Sequence, residues 1–167
     1  MNHDPKYELM RVRLLRDLSA VGVPVDLFDL FIKDYSATYY GCYRTKTNRV
    51  YLYAYEDKDL TTMYSYDHML EIALHEAVHA IQWHDASHIR VKGVMHDAEF
   101  WQAYNMYTAR LKERNYVQTA KETAKVLGDS HQSSVHYLYR GVECSDTGAV
   151  ARPNNRVLRI ACKRRNR

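Results

Sequence analysis

Apolar and polar positions alternate along this chain with two different periods, and the change of period marks the elements. Tyr7, Met10, Leu14, Leu18 and Val21 recur at helical spacing until Gly22, which predicts a helix opened by Asp4-Pro5, with a capping oxygen and a proline at the first helical position. Asp26 stands where it could cap a second short helix, "LFDLFIKDY". The period then becomes two. "ATYYGCY" and "RVYLYAY", separated by the turn-like "RTKTN", predict a hairpin. Its second strand carries Tyr51, Tyr53 and Tyr55 on one side and Val50, Leu52 and Ala54 on the other, a pattern suited to cross-strand packing.

Helical spacing returns after Ser65 or Asp67. Leu70, Ala73, Leu74, Ala77, Val78 and Ile81 form one apolar stripe, with Ile72, His75, His79 and Trp83 on a neighbouring face. A helix with two such faces is buried on most sides. The polar stretch "HDASHIRVKGV" follows, and Asp97 then fits the cap of another helix. Phe100, Tyr104, Tyr107 and Leu111 are its inward stripe, through about Lys112. After Asn115 the pattern weakens: "VQTAKETAKVL" reads as a further helix ending at Gly128, and "SSVHYLYRGVEC" and "RVLRIAC" read as strands. Residues 1–115 are expected to form a core and 116–167 an accessory segment. The expected fold class is α+β.

Composition narrows the picture. The 167 residues are 46% hydrophobic with three prolines, which suits one globular domain and excludes a largely disordered chain. No window approaches the roughly 20 apolar residues that span a bilayer. The N-terminus lacks the uninterrupted apolar run of a signal peptide, and the three cysteines, Cys42, Cys144 and Cys162, are too few and dispersed for a disulfide framework or a zinc ribbon. An intracellular, cytoplasmic protein is expected. The net charge of +4 is uneven. Arg152, Arg156, Arg159, Lys163, Arg164, Arg165 and Arg167 form a basic tail without an acidic residue, leaving residues 1–151 at −3. Such a tail could contact DNA phosphates, or be a solvated terminus.

The chemistry centres on "EIALHEAVHAIQWHD", residues 71–85. His75 and His79, four apart on one helix, project from the same face about one turn apart, so both imidazoles can reach one tetrahedral ion. Glu76 is rotated about 100° from His75; it cannot share the ligand face, but it can reach a water on the ion as a general base. A catalytic zinc needs a third protein ligand and an open position. His84, Asp85, His88, His96 and Glu99 are the candidates. Asp85 sits at the third-ligand spacing of H-E-x-x-H-x-x-G-x-x-H, but Gln82 occupies the glycine position. His84 points about 140° away from the ligand face. His88 lies in a polar loop. His96 directly precedes a capped amphipathic helix, and a ligand on a rigid element is better positioned. His96 is the expected third ligand.

"HEAVHA" and then "HDAEFW", with sixteen residues between His79 and His96, resembles the SprT-like family of zinc metalloproteases, whose pattern is H-E-x-x-H, an insert of similar length, and H-G-x-x-F or a close variant. "GCYRTKTNRVYLY" is similar to the β-hairpin that the family places before its active-site helix. The resemblance covers roughly residues 30–113, and Asp97 stands where the family has glycine. It implies a zincin-like core with a small β-sheet, His75, His79 and His96 as Zn2+ ligands, Glu76 as the catalytic base, and peptide hydrolysis. The substrate expected is a polypeptide bound extended along a sheet edge, with DNA-associated proteins as the family's range. Tyr104 or Tyr107 could steady an oxyanion, although their spacing equally suits core packing. The rival reading is a non-catalytic nucleic-acid- or protein-binding module with a closed structural metal site, completed by His84, His88 or Asp85.

Overall fold

The computed structural model describes residues 3–91 and 93–128, with side chains as far as residue 122. The expected strands after residue 130, the basic tail, Cys144 and Cys162 lie outside the described residues. The described residues divide into two compact units after Arg114. The first holds a three-stranded sheet and the helices packed on it. In the second, the described part is the remainder of one long helix.

Asp4 opens the chain as expected, its carboxylate accepting the Lys6 N–H at 3.0 Å. A 3-10 turn, Pro5–Tyr7, leads into helix α1, Glu8–Ser19. Tyr7, Leu14, Leu18 and Val21 are buried. Gly22 ends the run at φ +87°, a conformation that costs glycine little.

"LFDLFIKDY" is not a helix. A 3-10 turn, Val25–Leu27, gives way to strand β1, Asp29–Lys33. The run Leu30-Phe31-Ile32 is apolar at every position because both faces are covered, and such a run cannot be told from a buried helix by periodicity. Leu30 and Ile32 join the core. Phe31 faces the other way and stacks on Tyr51 at 5.4 Å between ring centroids.

The hairpin forms from β2, Gly41–Arg44, and β3, Arg49–Tyr53, shorter than their β-rich runs. Asn48 turns the chain at φ +50°. Strand order is β1-β3-β2, with β1 parallel to β3 and β2 antiparallel to it. Val50, Leu52 and Ala54 are fully buried, whereas Tyr51, Tyr53 and Tyr55 remain partly exposed.

Helix α2, Tyr66–His84, is capped by Ser65, whose hydroxyl accepts the His68 N–H at 3.2 Å. Its buried face runs from Met69 to Ala80 and packs on β2 and β3. Asp17 ties α1 to the start of α2, accepting the Tyr66 hydroxyl at 2.7 Å, and also takes Arg114 at 3.2 Å. Helix α3, Ala98–Gly128, does not pause near Lys112. The stretch Lys112-Glu113-Arg114-Asn115 contains no glycine or proline, so nothing local stops it once the apolar stripe ends. Phe100, Tyr107 and Leu111 are its buried residues in the first unit. The fold is thus α+β with a small mixed sheet.

Candidate metal centre

Burial of α2 puts His75 and Glu76 in the core, each 2% exposed. His79, one turn on, is partly buried. His96 arrives from the segment before α3, and its Nε2 lies 3.0 Å from the Nε2 of His79 and 3.0 Å from that of His75. Phe100, fully buried, backs all three rings, its centroid 4.9, 4.6 and 4.5 Å from His75, His79 and His96.

This donor set fits a divalent cation. Two nitrogens bound tetrahedrally at roughly 2.0–2.1 Å stand about 3.3 Å apart, close to the separations here. A neutral imidazole nitrogen either donates or accepts, so one proton cannot satisfy the Nε2 of His96 and both of its neighbours. A cation at their centre satisfies all three lone pairs. Burial and then the neighbouring His96 push His75 down to about 4; burial and the adjacent imidazoles push His79 down to about 3. Burial also lowers His96. All three rings are held neutral, the form that ligates a metal. Among the described residues, no fourth histidine, cysteine or carboxylate joins the group.

Glu76 packs against strand β2. Burial raises its carboxyl to about 7, and the Tyr43 backbone N–H partly offsets this. Its position depends on Gly41. A Cβ on that residue would stand 2.6 Å from Ile72 Cγ2, 3.1 Å from Glu76 Cγ and 3.2 Å from Leu52 Cδ2. Only glycine lets β2 approach α2 this closely. A glycine opening a strand was the available signal in the sequence, although its role was not read there.

The other candidates lie elsewhere. His84 is exposed at the last residue of α2. Asp85 accepts the N–H and hydroxyl of Ser87 at 2.8 and 2.6 Å. His88 meets Asp97 and Glu99 rather than the imidazoles. Asp97 caps α3 as expected, accepting the Phe100 N–H at 2.8 Å, and also takes the Gln82 amide at 3.0 Å. That link between α2 and α3 was not foreseen. Tyr107 is core, and Tyr104 packs 5.9 Å from His75 and 6.1 Å from Phe100.

Among the described residues, no helix is long and apolar enough to cross a membrane. No protein-family model matches the chain, and neither do any curated protein or solved structure.

Proposed function

We propose that the chain is a zinc-dependent metallopeptidase of SprT-like type with a zincin-like core, hydrolysing peptide bonds of intracellular proteins. The observation that carries this reading is the convergence of three neutral imidazoles, His75, His79 and His96, with the carboxyl of Glu76 borne on the intervening turn of helix. A bound zinc ion supplies Lewis acidity, polarising a carbonyl and making water nucleophilic near neutral pH. His75, His79 and His96 would hold it and leave one position open. Glu76 would take the proton from the attacking water and deliver it to the leaving amine. Among the described residues strand β2 is a sheet edge beside Glu76, and an extended polypeptide would add along it.

The open position favours catalysis over a closed structural site. Among the described residues that could close it, Asp85 and His88 are held by other partners and His84 is exposed. Glu76→Gln tests the reading. It should retain zinc and lower cleavage of a denatured polypeptide by about 10²–10⁴-fold; undiminished turnover removes the catalytic role.

We further propose that the chain's substrates include DNA-associated or DNA-crosslinked proteins, a reading supported by the SprT-like resemblance and by the basic residues at 152–167. Deleting them should lower DNA affinity and flatten its dependence on salt. Equal affinity and slope would remove DNA from the reading and leave the peptidase in place.

A further inference from the structure

Residues 85–97 link α2 to α3 and end on the third imidazole's neighbour, yet their apolar side chains turn outward. Ile89, Val91, Val94 and Met95 are all exposed. Hydrophobic burial does not hold this segment; polar contacts do. The Arg90 guanidinium donates to the carbonyl oxygens of Gln82 and Trp83 near the end of α2, and lies 4.1 Å from the Trp83 ring centroid.

A further tie is His88. Its side chain is only 6% exposed, with Nε2 3.2 Å from Asp97 Oδ2 and Nδ1 2.5 Å from Glu99 Oε2. Each ring nitrogen therefore has a carboxylate oxygen as partner, an arrangement fully satisfied when both nitrogens donate. The two carboxylates flank the start of α3, and Asp97 directly follows His96. Asp97 receives donors from three segments: Gln82 of α2, His88 of the link, and the Phe100 N–H of α3. A glycine at position 97 could make none of these side-chain bonds.

We propose that His88 is a positioning residue for the third metal ligand: by clasping Asp97 and Glu99 it holds the first turn of α3 so that His96 is aimed at His75 and His79. This inference rests on the metal-binding reading of the three imidazoles. Groups that orient a ligating residue commonly contribute about 10–100-fold to metal affinity, so His88 governs how tightly the chain holds its ion without touching it.

The test is metal affinity of the full chain, stripped with a chelator and then titrated with zinc against a chromophoric competitor. Cobalt(II) serves as the spectroscopic probe of the coordination sphere. His88→Phe should weaken zinc binding about 10–100-fold and reduce the intense visible bands of tetrahedral cobalt. His88→Gln, whose amide can still reach Asp97, should recover much of both. Zinc affinity within about twofold of the original chain, with an unchanged cobalt spectrum in His88→Phe, overturns the proposal. If His88→Phe fails to fold, Glu99→Gln decides at an exposed position: a smaller loss in the same direction supports the clasp, and equal affinity overturns it. An original chain that binds neither ion removes the metal reading and the clasp together, whereas tight binding that ignores position 88 removes the clasp alone.

Discussion

Helix α2 holds His75 and His79 within a packed core, while His96 ends a segment whose apolar residues face outward. On one side, Leu52, Ile72, Ala77 and Val78 are fully buried around the ligand-bearing turn. On the other, Gln82, His88, Arg90 and Asp97 form a set of polar ties. The comparison teaches that one site is positioned by two kinds of force. Close packing resists small displacements because every methylene is in contact. Polar ties hold a segment that buries little, but they depend on each partner being present.

The largest expected effect comes from removing what the two sides share. Phe100 backs all three imidazoles and is fully buried, so Phe100→Ala should destabilise the fold by about 3–5 kcal/mol and weaken zinc binding. Denaturant unfolding with chelator present checks the first effect, and zinc titration the second. Unchanged stability would mean that α3 does not rely on this contact.

A substitution confined to the packed side should act differently. Gly41→Val pushes a side chain against Ile72, Glu76 and Leu52, at a cost of about 1–3 kcal/mol for overpacking. Thermal unfolding of the metal-free chain should register this, while the ties around Asp97 keep His96 in place. A variant as stable as the original would show that β2 can shift outward without penalty.

The smallest effect concerns Asp17, a polar tie inside the packed side. Burial acts to raise its carboxyl, but the Tyr66 hydroxyl, Arg16 and Arg114 outweigh it and hold the group below the ordinary carboxylate value. A lowered folded-state pKa means that its stabilisation is fully present above the unfolded value of 3.8 and is lost as pH falls through the lower folded value. Asp17→Asn should therefore cost about 1–2 kcal/mol at pH 7 and progressively less below pH 4, read from urea unfolding at several pH values. A cost independent of pH would assign the effect to packing instead of charge.

Legibility in the sequence followed the same division. Elements defined by a single period could be read: the stripe Leu70 to Ile81, the alternation Val50, Leu52, Ala54, and the cap at Asp97 all have local signatures. Strand β1 could not, because its burial on both faces erases the period that distinguishes strand from helix. The unbroken α3 was hidden by a loss of amphipathic pattern that is not a loss of helix. At the site, the spacing of His75 and His79 put two imidazoles on one helical face, and the helix start after His96 favoured that residue over His88. The partners of His88 and Gln82 were not legible. They depend on where a segment between two helices comes to rest, which no local pattern encodes.

The sheet order has a consequence for assembly. Strand β3 meets β2 across a link of four residues, 45–48, but meets β1 in a pairing where Asp29 lies opposite Arg49. Closing the short link sacrifices less chain entropy than closing the long one. The platform on which α2 rests is therefore entropically cheap at its β2 side, next to Glu76, and costlier at the far strand.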